Sequence, residues 1–354
     1  MSSRGSEWHK WDLHVHTPDS NLCYKNRNVT NQDIINSMAH NDISVFAITD
    51  HHYININRYQ ELADLGKPLG ITVLPGIEFL AEARGREPVH YIGIFSEKTN
   101  LEFIWGQIKN KTAIANTYGS NPKKRNEVYC DIDDTIKLIK SLGGITTIHA
   151  GQKSNSVENI TNALPHTMAQ KTDLANLVDI YELGQEKDQE GYRKFVFPTI
   201  NREIPMILCS DNHNALDYTV KQNCWIKGSP NFEGLKYALN EPEERFFIGS
   251  QPDVLTRLKN EPAKFLDKIT INRVSDKDQQ SIWFEHVDIP LNPELITIIG
   301  NKGSGKSALA DITALCADGE HSTDYTFLDK DRFKKKGTSG PIRSPTNVPK
   351  WLHL

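Results

Sequence analysis

The stretch Asp12-Leu13-His14-Val15-His16-Thr17 decides how the first two thirds of this chain are read. It is a short apolar run that ends in two histidines separated by one residue. In an extended strand residues i and i+2 point to the same face, so His14 and His16 aim two imidazoles at one point, which is a metal-ligand geometry. On its own, a His-x-His at a strand end is more often an ordinary polar edge. Its weight here comes from what recurs further along: residues of the same ligand types stand at the ends of later apolar runs.

Up to about residue 250, strand-like runs alternate with helix-like segments, the pattern of an α/β domain with a mainly parallel sheet. Seven strands are expected, at residues 11–14, 43–49, 71–74, 89–95, 145–149, 178–182 and 206–209. Thr30 with Asp33 forms a capping-box pattern before Ile34 and Ile35, Asp131 opens a helix over residues 134–142, and Gly143-Gly144 stops it. His14 and His16 follow the first strand, Asp50, His51 and His52 the second, Glu78 the third, His149 the fifth, and Asp211 and His213 the seventh, while His90 sits within the fourth. In a barrel of parallel strands the C-terminal ends open on one face. Such groups are costly to bury unless paired or metal-bound, so a shared metal site is expected. Asp50 is expected to orient its neighbour His51 from behind, and His52 to be a solvated neighbour. Glu182, at the end of the sixth strand, is open between the cleft and the surface.

The bulk numbers fit a globular chain long enough for two domains, with 354 residues, 38% hydrophobic and 24% charged. A net charge of −4 gives no overall basic footprint, so any nucleic acid contact must come from local patches. Five cysteines, widely spaced and without a CxxC pair, point to free thiols in a reducing compartment. No run approaches the length of a membrane span, and a cytoplasmic protein without a membrane partner is expected.

In order along the chain, Leu13-His14-Val15-His16-Thr17, Ile48-Thr49-Asp50-His51, Gly76-Ile77-Glu78, His90-Tyr91-Ile92-Gly93, His149 and Ser210-Asp211-Asn212-His213 resemble the motifs of the polymerase and histidinol phosphatase (PHP) family. The runs from His149 to Ser156 and from Trp225 to Leu235 are similar to its TrlF-like branch, in which a PHP domain precedes an ATPase. The resemblance implies a distorted seven-stranded (β/α) barrel with two or three divalent ions. It implies His14, His16, His51, Glu78, His90, His149, Asp211 and His213 as ligands. One further family ligand has no clear counterpart, and Asp19 is its expected substitute, with Cys23 as the alternative.

Mixed imidazole and carboxylate ligands suit Zn, Mn or Fe better than Ca or Mg. Closely spaced divalent ions suit phosphoester hydrolysis, because they ionise a water and stabilise both the attacking and the leaving oxygen. Cationic partners for a phosphate are expected among Lys25, Arg27, Arg84, Arg86 and Lys153, with Arg84 and Arg86 placed near the cleft because they lie between Glu78 and His90. Lys123-Lys124-Arg125 is either a solvated loop or a track for a nucleic acid backbone.

After residue 249 the pattern changes. Residues 250–267 read as a linker with a short helix, and strands are expected at residues 269–274, 282–287 and 295–299. The last runs into Gly300-Asn301-Lys302-Gly303-Ser304-Gly305-Lys306-Ser307, a G-x4-G-K-S phosphate loop, and then a helical segment. Its glycines would let backbone N–H groups wrap the phosphates of ATP, Lys306 would reach the β- and γ-phosphates, and Ser307 would hold Mg. No apolar strand ending in an acidic pair follows before residue 354, so residues 268–354 are expected to be the amino-terminal part of a nucleotide-binding domain, of the SMC type. The expected function is a metal-dependent phosphoesterase over residues 1–249, most concretely a nuclease with nucleic acid and ATP as partners and self-association left open. The alternatives are a phosphatase of a small metabolite and a nucleotide-gated scaffold with a structural barrel.

Overall fold

The computed structural model describes residues 4–20, 23–82, 88–160, 165–220, 223–271, 287–317, 325–328 and 352–353. They form two compact units, residues 6–252 and residues 1–5 with 253–354. No helix among the described residues is long and apolar enough to cross a membrane.

The larger unit has a mixed α/β fold around a nearly closed, barrel-like sheet. Its strands are β1 (Trp8–Val15), β2 (Ile43–Ile48), β3 (Thr72–Ala81), β4 (Val89–Ile94), β5 (Ile145–Ala150), β6 (Ile180–Leu183), β7 (Met206–Ile207), β8 (Cys224–Lys227) and β9 (Phe246–Ile248). They lie in the order β7-β6-β5-β4-β3-β2-β1-β8-β9. The sheet therefore holds nine strands rather than seven, because residues 224–227 and 246–248 add an antiparallel pair beside the first half of β1. The second half of β1 is bound on that side by the segment after β7: Asp211 N donates to His14 O at 3.1 Å and His16 N to Asn212 O at 3.2 Å. These bonds bring the two ends of the seven-strand run together.

The strands are not all parallel. β4 is antiparallel to both β3 and β5, while β1–β2, β2–β3, β5–β6 and β6–β7 are parallel. A reversed strand presents its beginning where its neighbours present their ends. That is why His90, the second residue of β4, shares a face with Glu78 and His149.

Side-chain alternation then sorts each strand into two faces. Leu74, Ile92, Ile145, Ile180 and Ile207 pack with Trp11, Val45 and Ala47 in one buried cluster. Counting by twos from these positions leads to Glu78, His90, His149 and Glu182, so these polar groups continue the same rows, while Asp211 lies beyond the end of β7. The opposite rows, including Ile77, Phe79, Tyr91 and Ile148, pack in a separate cluster with Ile104, Ile108, Ile136 and Ile139 of α3 (Leu101–Lys111) and α4 (Ile132–Ser141). A third cluster seats β2 against α1 (Asn31–His40) and α2 (Ile56–Gly66). Thr30 and Asp33 form the capping box of α1, Asp131 caps α4, and Gly143 takes a φ of 79° after α4.

In the smaller unit β10 (Lys268–Ile271) pairs antiparallel with β11 (Val287–Pro290) and with residues Leu352–His353. Ile269, Ile271 and Leu291 pack against Leu309 and Ile312 of the helix Lys306–Cys316. The short helix expected within residues 250–267 spans Asp253–Asn260. The expected strand at 295–299 does not form: these residues join no described strand, and Leu295 and Ile299 are 81% and 84% exposed.

Gly76 lies where β3 passes closest to its neighbours, with the space for a Cβ 3.0 Å from the carbonyl oxygens of both Gly93 and Ile48. Gly76→Ala should destabilise the larger unit by about 1–3 kcal/mol through overpacking. Thermal denaturation monitored by circular dichroism should show a lowered Tm; an unchanged Tm would mean that the strands yield freely at this crossing.

Candidate metal centre

The residues at the mouth of the barrel converge on one carboxylate. Glu78 is fully buried, and its Oε2 lies 2.9 Å from His51 Nε2, 3.3 Å from His16 Nε2 and 3.4 Å from His14 Nε2. Its Oε1 lies 2.6 Å from His90 Nδ1 and 3.7 Å from His149 Nε2. Asp211 Oδ1 is 3.4 Å from His14 Nε2, 3.3 Å from His16 Nε2 and 3.7 Å from His213 Nε2. The two histidines of the opening motif bring their Nε2 atoms to 3.1 Å.

Five of the imidazoles are held from behind, which is how ligand side chains are aimed. His14 Nδ1 contacts both oxygens of Glu182 at 2.9–3.0 Å, His16 Nδ1 meets Ser20 Oγ at 2.8 Å, and His149 Nδ1 donates to Ser154 O at 2.9 Å. His90 Nε2 meets Asn155 at 3.0 Å, and His51 Nδ1 lies 3.5 Å from Cys23 Sγ. The backbone is strained at the same place. Of the five non-glycine residues with positive φ among the described residues, His52, Asn155 and Asp211 border the cleft, as strained residues at functional sites commonly do.

Four groups of three side chains bring ligand atoms within 4.8 Å of one another: His14, His16 and Asp211; His14, His149 and Glu182; His16, His51 and Glu78; and Glu78, His90 and His149. The donors fit a divalent transition ion on two counts. Glu78 Oε2 is buried without an aligned hydrogen bond although three imidazole nitrogens surround it, and His213 Nε2 is likewise unpartnered. The set also mixes imidazole nitrogen with carboxylate oxygen, the combination such ions prefer.

Several residues are not where the sequence put them. Asp19 stays out of the cluster, because its carboxylate accepts from Arg58 Nε at 2.6 Å and Asn55 Nδ2 at 2.8 Å. Asp50 serves the first motif rather than His51: it accepts from Thr17 N at 2.8 Å and Thr17 Oγ1 at 2.6 Å and lies 3.9 Å from His16 Nδ1. His52 is buried, not solvated; it donates to Arg125 O at 2.9 Å and accepts from Leu80 N at 3.0 Å. Lys153 is no free phosphate ligand, since its buried ammonium lies 2.8 Å from Glu182 Oε1 and 3.1 Å from Asp211 Oδ2. Lys25 and Arg27 are exposed, and Arg84 and Arg86 lie outside the described residues. Glu182, left open in the sequence, is wholly inside. Ser20 and Asn155 carried no signal in the sequence, because a serine or asparagine in a loop has too many ordinary uses.

In the glycine-rich segment 300–307, Gly300, Gly303 and Gly305 take φ values of 159°, 85° and 88°, and the helix begins at Lys306. Lys306 Nζ donates to Gly300 O and Asn301 O at 2.8 and 2.9 Å, closing the loop upon itself.

No family model and no curated protein matches the chain. Among solved structures it is similar to a two-domain protein from Bacteroides vulgatus that contains a predicted PHP-like metal-dependent phosphoesterase, at 14% identity over 81% of this chain and 84% of that one, with a TM-score of 0.47. A Bifidobacterium adolescentis protein whose name proposes metal-dependent phosphoesterase activity aligns at 14% identity over 66% of this chain and 96% of that one, with a TM-score of 0.45. An amidohydrolase from Chromobacterium violaceum, with sulfate bound and no metal, aligns at 13% identity over 58% of this chain and 88% of that one, with a TM-score of 0.38. These are distant likenesses; what the cleft can do follows from its own geometry.

Electrostatics divides the imidazoles. Burial opposes charge on His16 and His51, yet the carboxylates of Asp211 and Glu78 beside His16, and of Glu78 beside His51, push both up to about 9. Burial pushes His149 down to about 3, helped by Lys153, and His213 down to about 4, helped by His16. Burial also opposes ionisation of Glu78, but His51, His90 and His14 hold it well below the usual carboxylate range.

Two outcomes follow. His16 and His51 have folded values above the ordinary 6.5, so their stabilisation of the metal-free fold is full below 6.5 and is lost as pH rises through about 9. A divalent ion must displace those protons near neutral pH. Calorimetric titration of Mn²⁺ in buffers of different ionisation enthalpy should show proton release that fades above about pH 9; no release at neutral pH would contradict this protonation. Separately, Glu182→Gln removes the carboxylate behind His14 and should weaken metal retention about 10- to 100-fold, measured by equilibrium dialysis with metal analysis.

Proposed function

We propose that the larger unit is a metal-dependent phosphoesterase of the PHP type, acting on phosphodiesters of nucleic acid. The observation that carries the reading is Glu78, whose two oxygens face separate groups of histidines, Oε2 toward His14, His16 and His51 and Oε1 toward His90 and His149. Glu78 would hold divalent ions together with both groups of histidines. His14, His16, His51, Glu78, His90, His149, Asp211 and His213 form the proposed ligand set, and Zn, Mn or Fe the proposed ions.

Two such ions would lower the pKa of a water and stabilise the oxygens that attack and leave phosphorus. The chain's own part is positional. Glu182, Ser20 and the Ser154 carbonyl fix ring orientations, and Lys153 holds Asp211 Oδ2 so that Oδ1 faces His14 and His16. Asp211 and His213 stand at the open side, with side chains 24% and 25% exposed, where a substrate phosphate would enter. The segment Lys123-Lys124-Arg125 supports a polymeric substrate rather than a small metabolite, since only a polymer would need cations that far out.

The loop 300–307 we read as an ATP and Mg site, on the strength of its glycine conformations and the helix that starts at Lys306. Nucleotide binding there would require Lys306 to exchange its two carbonyl contacts for phosphate oxygens.

Purified chain supplied with Mn²⁺ should cleave DNA or RNA strands, and Asp211→Ala should abolish cleavage while circular dichroism is unchanged. Turnover of mononucleotide monoesters alone would favour the small-metabolite phosphatase. Unfolding of Asp211→Ala, with no activity in the parent, would favour the scaffold.

A further inference from the structure

We propose that the surface leading outward from His51 along Tyr53, Arg125, Trp105, Tyr118 and Lys109 is a binding track for single-stranded nucleic acid. The proposal deepens the nuclease reading and rests on it for the track's connection to the cleft. Residues 105–125 contain Lys109, Lys111, Lys123, Lys124 and Arg125 and no aspartate or glutamate, in a chain whose net charge is −4. Glu127, beyond this segment, lies 4.0 Å from Lys124 Nζ.

Aromatic rings are interleaved with those cations. The Arg125 guanidinium lies 4.2 Å from the centre of the Tyr53 ring, Tyr53 meets Trp105 edge to face at 5.7 Å, Trp105 meets Tyr118 at 6.5 Å, and Lys109 Nζ lies 5.2 Å from the centre of the Tyr118 ring. Tyr118 is 43% exposed, Tyr53 and Trp105 are partly exposed, and Lys123 and Lys124 are exposed. The row is continuous with the cleft. Tyr53 stands two residues after His51, the Arg125 carbonyl accepts from His52 Nδ1, and the Arg125 guanidinium donates to Asp19 O at 2.9 Å, in the loop that follows His16.

Rings beside cations recognise what a single strand offers and a duplex hides. Every base has a π-face, so stacking is indifferent to sequence and contributes about 1–3 kcal/mol per base, while the cations follow the phosphates. In a duplex those faces are already stacked on one another. A protein partner with an acidic surface would use the lysines but not the stacking platform.

The test measures binding without catalysis. Fluorescence anisotropy in EDTA compares labelled oligothymidine, oligouridine and a hairpin duplex on the full chain, on Tyr118→Ala and on Lys123→Ala/Lys124→Ala. Single strands should bind more tightly than the hairpin, and the DNA and RNA arms show which sugar is preferred. Tyr118→Ala should weaken single-strand binding about 5- to 150-fold, the loss of one stacked base. The double lysine variant should reduce the slope of log affinity against log salt by about 1.4, or about 0.7 per phosphate contact. Neither variant should change hydrolysis of bis(p-nitrophenyl) phosphate with Mn²⁺. Equal affinity for the hairpin, parental binding by Tyr118→Ala, or competition by polyglutamate as strong as by oligonucleotide would overturn the track. If the track behaves as stated while no phosphodiester is hydrolysed, the track stands and the phosphoesterase reading fails.

Discussion

The larger unit depends on the placement of a single ionised carboxylate in its interior. Glu78 is 1% exposed and has five imidazoles within 3.7 Å. An unpaired carboxylate at such a depth would take up a proton or expel itself. Here the histidines keep it charged; against the cost of burial it in turn draws a proton onto His51, and Glu182 and Asp211, with Glu78 after them, do the same for His14. Divalent ions would do the same work more completely, taking the place of the protons on the imidazoles. Lys153 extends this balance outward by neutralising Glu182, which faces His14 Nδ1, and Asp211, which shares His14 Nε2 with Glu78.

The barrel exists to bring these groups together, and two departures from a regular sheet make that work. The reversal of β4 moves His90 to the end of the barrel where its neighbours terminate. In β1 the register against β2 slips between Asp12 and Val15. Before the slip Leu13 packs with the interior cluster; after it, Val15 packs with the helices and His14 and His16 turn to Glu78. Without the slip, the strict alternation that carries Trp11 and Leu13 inward would carry the two histidines outward. The hydrogen bonds from residues 211 and 212 to the end of β1 hold the slipped segment, so closure of the sheet and assembly of the cleft are one event.

The smaller unit shows the opposite balance. Its glycine-rich loop 300–307 has the backbone form its glycines permit, yet the apolar residues 295–299 leading into it lie open to solvent. A strand needs a neighbour for its N–H and C=O groups and a surface for its side chains, and the described residues supply neither at that place. Among the described residues, the loop's form rests on its glycines and on the start of the helix at Lys306.

The residues that make the cleft were legible in the sequence because burial rules are severe: histidines and acids at the ends of apolar runs must find one another or an ion. Strand positions were legible for the same reason, through apolar runs of the right length. Three things were not legible. The slip in β1 and the reversal of β4 depend on pairing with segments far along the chain, Asn212 for the one and residues 145–148 of β5 for the other. Asp19 has the chemistry of a ligand, and only the tertiary fold shows Arg58 holding it away. Glu182 and Lys153 look like surface charges until β6 and the loop after β5 fold inward and each becomes the other's counterion. The chain alone determines which side chains are too polar to be buried singly; the folded structure decides which of them meet, because that rests on strand direction, register and competing partners.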